Sequence, residues 1–360
     1  MLSLSQIPVA ASDLRAQSND RAIDSLLKSY ADNGAGAAVL VVRNGRVVVR
    51  KTYGLADVDS QKRITPQTNF RLASLSKQFT ATAAMLLVKD RTLRYDDSVS
   101  KILPNLPAYA AGVTVRHLLN HTSGLPDYED FVPDTQTQQV HDADVPALLA
   151  HATALKFAPG SKYDYSNTGY ALLALIVERA SGERYADFLG HRIFRPLSMR
   201  GTLAFEDGRS VVSNRAYGHR VDSTGRVRRT DQSNTSAVLG DGGIYSSIVD
   251  LAKWHRAMDR HTLVSAKEQR LAWTTPTLAN VRKIGYGFGW FVDEDRGMLR
   301  ARHHGESRGF TNGVVKYPDS KLTVVVLTNR SGGRPWDFAQ KIAELYLGSA
   351  VQGASPSWRP

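Results

Sequence analysis

Three places in the chain put a serine three residues ahead of a lysine: Ser25 and Lys28, Ser74 and Lys77, and Ser98 and Lys101. On a helix such residues share a face one turn apart, so each pair brings a hydroxyl beside an amine. A lysine partly desolvated in that setting takes the serine proton and leaves an oxygen able to attack a carbonyl, the opening step of acyl transfer. A serine on the first turn also sits at the positive end of the helix dipole, which favours the negative charge that develops there. The three copies differ in their surroundings. Ser25 and Lys28 lie off the apolar stripe Ile23, Leu26, Leu27 and Tyr30 and belong in solvent. Ser98 follows Asp96-Asp97 and reads as a helix cap. Ser74 opens LSKQFTATAAMLLVKD (75–90), a long apolar helix that a core would anchor. Ser74 is therefore the candidate nucleophile and Lys77 its partner, against the plain alternative of a polar N-terminal turn.

The elements that must position this pair follow from patterning. Residues 20–30 repeat apolar positions at helical spacing. AAVLVV (37–42) and VVVRKTY (47–53) are β runs joined through Asn44-Gly45, the strongest short hairpin signal. From about 91 to 200 short helices alternate with Pro and Gly, the longest being YALLALIVERASG (170–182), closed by Gly182. GVVKY (313–317) and LTVVVLTN (322–329) flank a Pro-Asp turn, and a last helix, 336–347, starts after Pro335. Strands near both ends with helices between predict an α+β fold, not a doubly wound one: an antiparallel sheet built from both chain ends, a helical lobe beside it, and a site in the cleft between.

Composition narrows the chemistry. The chain has 360 residues, no cysteine, 46 Lys plus Arg against 34 Asp plus Glu, and a formal charge of +12. Thiolate nucleophiles, thiolate zinc sites and disulfide frameworks are excluded. The basic residues are scattered, with no aromatic platform and no nucleic-acid reader motif, so the surplus reads as a soluble basic surface. No stretch nears the roughly 20 apolar residues of a membrane span. MLSLSQIPVAAS lacks the marks of a signal peptide, so the expected compartment is cytoplasmic, or periplasmic or secreted if an export signal has been removed. Residues 1–18 and 348–360 lack apolar periodicity and are expected to be loosely held.

Beyond these readings, Ser74-Leu75-Ser76-Lys77 and its apolar helix resemble the serine β-lactamase and penicillin-binding-protein superfamily. More narrowly, the chain is similar to the class C β-lactamase-like branch, which includes family VIII esterases and D-aminopeptidases. TVRHLLNHTSGLPDY (114–128), PGSKYDYSNTGYALLALIVERASG (159–182) and GDGGIYSSIVDLAKW (240–254) carry the resemblance in order, and it covers roughly 20–347. It implies one catalytic domain over 19–347, with an α/β lobe at about 19–90 and 201–347, a helical lobe at about 91–200, and no metal or cofactor.

Carried over by residue, the resemblance makes Tyr165 the general base, as tyrosinate or as the shared-proton partner of Lys77, acting later on the deacylating water. Asn167 would hold the lysine and the substrate's acyl group. His303-His304-Gly305 would fill the place of the Lys-Thr-Gly strand motif, Gly305 allowing close approach of substrate. The N–H groups of Ser74 and Glu306 would form the oxyanion hole, and Tyr128 would line the cleft. Two departures matter. A mostly neutral His303 holds a β-lactam carboxylate less firmly than lysine, although His304 or Arg308 could supply charge. Glu306 puts a carboxylate where a small residue is usual. Both favour an ester, or a peptide or amide with a free amine. The expected function is therefore a carboxylesterase or D-amino-acid peptidase/amidase. β-Lactamase or D-alanyl-D-alanine carboxypeptidase is the alternative within the class, and a non-catalytic binding module the alternative outside it.

Other patterns weigh less. Gly305-x-Ser307-x-Gly309 spells a nucleophile elbow, but no histidine follows Ser307 and a β run, not a helix, comes next. His117 and His121 are four apart like a zinc pair, but Leu118 stands where the metalloprotease pattern needs Glu. Tyr245 and Tyr286 are lesser cleft candidates.

Overall fold

The computed structural model describes residues 11–31, 34–133, 135–278 and 283–347. The expected loose ends at 1–10 and 348–360 lie outside them. Residues 11–18 belong to helix α1 (Ala11–Leu26), which starts earlier than its apolar spacing indicates. It is tied down by polar contacts, since Asp24 binds Lys51 Nζ at 2.9 Å and Tyr53 Oη at 2.7 Å on the neighbouring strand.

The remaining helices that bear on the site are α2 (Lys77–Lys89), α3 (Val115–Leu119), α4 (Asn167–Ser181), α5 (Ile248–Asp259) and α6 (Pro335–Leu347). The strands that bear on it are β1 (Ala37–Arg43), β2 (Arg46–Tyr53), β3 (Phe70–Arg71), β4 (Leu203–Ala204), β5 (Ile244–Ser246), β6 (Phe291–Asp295), β7 (Met298–Ser307), β8 (Phe310–Tyr317) and β9 (Leu322–Thr328). Six of them form one antiparallel sheet in the order β6-β7-β8-β9-β1-β2. Both ends of the chain thus build it, with β1 paired along its length to β9 from Ala37↔Thr328 to Arg43↔Leu322. The hairpin at Asn44-Gly45 forms as expected, both residues taking positive φ (50° and 71°) as a tight twisted turn demands.

Why β1 reads as an unbroken apolar run is now plain. Its residues alternate between two buried faces. Ala37, Val39 and Val41 meet Ile23 of α1, Leu27 just past its end, and Ile342 and Ala343 of α6. Ala38, Leu40 and Val42 face the larger core that includes α2, α4 and α5. Fully burying one such Val or Leu contributes about 1.5–3 kcal/mol.

A small sheet, β3-β5-β4, lies at the junction of sheet and helices and leads directly into the Ser74 turn. Two glycines set distances between layers. A Cβ on Gly313 of β8 would lie 2.5 Å from Trp336 Cα, so α6 docks there. A Cβ on Gly305 of β7 would lie 2.3 Å from Leu72 O and 3.2 Å from Leu75 N. Gly305 thus serves a close approach of chain to chain, not of substrate to strand: β7 presses on the turn that carries Ser74. Gly305→Ala is expected to push that turn away, lowering stability by about 1–3 kcal/mol and activity along with it. Thermal unfolding and hydrolysis rates check this, and unchanged values in both would refute the contact's role.

Candidate active site

The chain leaves β3 through Leu72 and Ala73 and enters a 3-10 turn, Ala73–Ser76, that runs into α2. Ala73 has φ +51°, a left-handed conformation that costs a non-glycine residue about 1–2 kcal/mol. The surroundings enforce it. Leu72 N–H donates to Ile244 O at 2.8 Å, and the Asn312 amide on β8 donates to Arg71 O and Leu72 O at 2.9 and 3.2 Å. The outcome is Ser74 turned partly toward solvent while Leu75 and Ser76 on either side of its exit are buried.

Lys77 is fully buried. Its Nζ lies 3.0 Å from Ser74 Oγ, 2.8 Å from Asn167 Oδ1 and 3.0 Å from the Asp241 carbonyl oxygen. Asn167 Oδ1 and the Asp241 carbonyl can only accept. They take two of the lysine's hydrogens, and its third tetrahedral direction points at a hydroxyl that can accept or donate. The amine therefore has one direction in which to exchange a proton, and that direction is Ser74.

Tyr165 brings its ring, with the centroid 5.0 Å from Lys77 Nζ. Among the described residues its hydroxyl makes no hydrogen bond to Lys77 or Ser74. Ser74, Asn167 and Asp241 occupy the hydrogen-bonding directions of the amine, so the tyrosine meets it through the face of its ring. Asn167, first residue of α4, is set by its backbone N–H, which donates to Asp127 Oδ2 at 2.8 Å.

Tyr128 departs from expectation. It is fully buried and its hydroxyl donates to Asp241 Oδ2 at 2.9 Å, so it braces the site from beneath and does not line the cleft. His303 also departs. It is 2% exposed, with Nδ1 2.6 Å from His304 O and Nε2 3.0 Å from Tyr286 Oη. Alternation along β7 turns Ala301, His303 and Gly305 inward. Burial, then His304 and Lys77, hold the His303 imidazole well below its ordinary range. His304, on the opposite face, is brought down to about 4 by burial, then Arg302 and Lys77. Neither is a cation at neutral pH. Glu306 is exposed and pairs with Thr311. β6 pairs with β7 only as far as Arg302, and beyond it β7 runs beside the Ser74 turn.

Two residues that the sequence does not single out complete the arrangement. Asp241 supplies the carbonyl for Lys77 and the carboxyl for Tyr128; burial first, then Asp142 and Glu129, raise its pKa to about 8 against the pull of Lys77. Asp142 accepts the N–H groups of Leu239 and Gly240 at 2.8 and 3.0 Å, and burial raises it to about 7. Glu129, the neighbour of Tyr128, hydrogen-bonds Asn167 and feels the Lys77 charge; partial burial and then Asp127 raise its carboxyl. Any signal for Asp241 lay in GDGG, where flanking glycines mark close packing: a Cβ on Gly240 would lie 2.2 Å from Tyr170 O.

The decoys lie elsewhere. Ser25, Lys28 and Lys101 are exposed. Ser98 holds the N-cap position of a short helix, Val99–Ile102, without a side-chain cap bond. Ser307 ends β7 ahead of a strand, and His117 closes a capping box with Thr114. Tyr245 and Tyr286 are fully buried. On the α6 side of β7 a cavity of about 310 Å³ is lined by Phe291, Arg302, His304, Arg334, Trp336 and Lys341.

The chain is similar to proteins already known. Residues 20–346 match the family model described as Beta-lactamase. Penicillin-binding protein 4* of Bacillus subtilis (strain 168) is 34% identical over 340 residues, covering 90% of this chain and 74% of that protein. A D-aminopeptidase of Brucella canis is 30% identical over 90% of this chain, which spans 63% of that enzyme's length. The D-amino acid amidase from Ochrobactrum anthropi SV3, solved with L-phenylalanine amide, superposes with a TM-score of 0.75 at 25% identity, over 91% of this chain and 96% of that one.

The buried carboxyls carry a stability consequence. Between about pH 4, where an unfolded aspartate ionises, and about 8, the folded pKa of Asp241, the folded state keeps a proton that the unfolded state has lost. Stability therefore falls as pH rises through that window, by at most about 1.4 kcal/mol per unit for one such group. Asp142 acts in the same direction up to about 7. In Asp241→Asn, urea midpoints measured from pH 5 to 8 are expected to decline less than in wild type; an equal decline would place the proton elsewhere.

Proposed function

We propose, from the premise that this chain belongs to the Beta-lactamase family of serine hydrolases, that Ser74 is its nucleophile and that it cleaves the amide or ester bond of a small substrate bearing a free amine. The observation that most supports the nucleophile is Lys77, held by two fixed acceptors so that its remaining direction faces Ser74 Oγ at 3.0 Å. Ser74 Oγ attacks the carbonyl carbon as its proton passes to Lys77. The carbonyl oxygen takes the negative charge, which on this reading the N–H groups of Ser74 and Glu306 receive. Collapse expels the amine or alcohol, which leaves with the proton, and an ester on Ser74 remains. Water then attacks that ester as Tyr165, acting as tyrosinate or as the shared-proton partner of Lys77, takes its proton; the acyl–Oγ bond breaks and that same proton passes to Ser74 Oγ as the acid departs.

The substrate class rests on charge. The Glu129 carboxyl beside Asn167 suits a substrate ammonium, while neutral His303 and His304 offer a substrate carboxylate no positive charge of their own. A D-aminopeptidase and a D-amino acid amidase among the similar proteins favour a D-amino-acid amide or peptide over a simple carboxylester. A second reading has its own support: Arg302, Arg334 and Lys341 in the cavity beyond His304 suit an anionic group, as in a β-lactam or a D-alanyl-D-alanine terminus.

Rates on D-alanine p-nitroanilide, a short-chain p-nitrophenyl ester and a cephalosporin separate these readings. Ser74→Ala is expected to abolish turnover of every substrate that wild type cleaves, by about 10³-fold or more. Glu129→Gln is expected to raise KM for the D-alanine anilide about tenfold, the loss of about 1.4 kcal/mol of charge pairing, and to affect the amine-free ester less. Fast cephalosporin cleavage, lost in Arg334→Ala, would favour the second reading.

A further inference from the structure

Tyr165 is held on both flanks by one residue. His121, two positions past α3, is 2% exposed and takes φ +57°. Its carbonyl oxygen accepts the Asp164 N–H at 3.0 Å, and its ring Nδ1 accepts the Ser166 N–H at 3.3 Å. Its ring lies against the Tyr165 ring, with centroids 4.3 Å apart and planes 37° from parallel. Backbone, side chain and ring face of one histidine thus fix the residues before, at and after the candidate base.

The tautomer follows. Because Nδ1 accepts, Nε2 carries the hydrogen, and among the described residues that N–H is buried with no hydrogen-bond partner. Its neighbours are rings: Tyr286 at 4.5 Å and 64°, Tyr170 at 5.2 Å and 40°, Tyr163 at 6.2 Å and 84°. An aromatic face is a weak acceptor for such a group. Burial, then Lys77, keep the imidazole neutral. A metal ligand would need that nitrogen open to an ion, and a cap alone would not need the ring.

We propose that His121 is a positioning residue for the reaction: it clamps the Tyr165 segment and presses the phenol ring into place beside Lys77. This rests on the reading of Tyr165 as base. Unlike a packing residue, His121 should act on the catalytic step more than on substrate binding, and a side chain that restores the acceptor should restore the step. Asparagine does so, since its Oδ1 can occupy the Nδ1 position and it tolerates positive φ.

The experiment is steady-state kinetics on the short-chain p-nitrophenyl ester for wild type, His121→Ala, His121→Asn and Tyr165→Phe, with circular dichroism to establish folding. Expected is a fall in kcat of about tenfold or more in His121→Ala, with KM within about twofold. His121→Asn should recover at least half of that loss on a logarithmic scale. Should His121→Ala not fold, His121→Gln takes its place, since its oxygen lies too far out for the Ser166 N–H. Wild-type kcat in the truncated variant, or no recovery with asparagine, overturns the proposal. If Tyr165→Phe is inactive in that case, the base reading stands without it; if Tyr165→Phe keeps full activity, the base reading fails and the positioning role with it.

Discussion

A primary amine buried in the interior is the constraint around which this molecule is arranged. Lys77 has no solvent contact, and a buried amine is tolerated only where hydrogen-bond partners replace water. Its partners come from three distant stretches: the turn before α2, the first residue of α4 and the Leu239–Gly242 segment. Each needs its own support. Asp127 sets Asn167 through its backbone, Asp142 sets the Leu239–Gly242 segment, and Asn312 and Gly305 set the turn. Satisfying one amine thereby draws the helical lobe and the sheet together along a single seam, and the candidate nucleophile lies on that seam.

The same seam explains an acidic surplus that would otherwise be costly. Asp142 and Asp241 are both buried, and Asp241 neighbours Glu129. Ionised together, they would repel one another in a site that holds one lysine. Burial instead holds protons on the two aspartates near neutrality, so they serve as neutral hydrogen-bonding groups. The carboxyl nearest the mouth, Glu129, is the one left where it can meet solvent or substrate.

Much of this could be read in the chain because it is local. The spacing of Ser74 and Lys77, the Asn44-Gly45 hairpin, the apolar helix after Ser74, and Gly182 closing α4 in a left-handed conformation depend on neighbours a few residues away. The misplacements share one cause. His303 and Tyr128 were assigned to the cleft from their positions in motifs, yet which face of a strand or loop a residue takes depends on what covers it. β7 does alternate, with Arg300, Arg302, His304 and Glu306 on one face and Ala301, His303 and Gly305 on the other, but adjacent histidines in its middle leave the pattern open as to which of the two is inward. Ala73 is the opposite case: nothing about an alanine announces φ +51°, because the strain comes from β5 and β8, far away in sequence. Asp241 was hidden because its decisive atom is a backbone carbonyl, which every residue has.

The pairing of β1 with β9 has a consequence in time. Gly36 N–H is bound by Asn329 Oδ1 across 293 residues, and the strands that steady the Ser74 turn, β7 and β8, are made after both helical partners of Lys77. Contacts this far apart form late, because loop closure must precede their reward. During synthesis the serine, lysine and tyrosine all leave the ribosome long before the strands that align them. The emerging chain therefore carries its candidate catalytic residues present and unassembled until the last strands arrive. In a polymer made from one end, that sequence acts as a delay on reactivity written into topology.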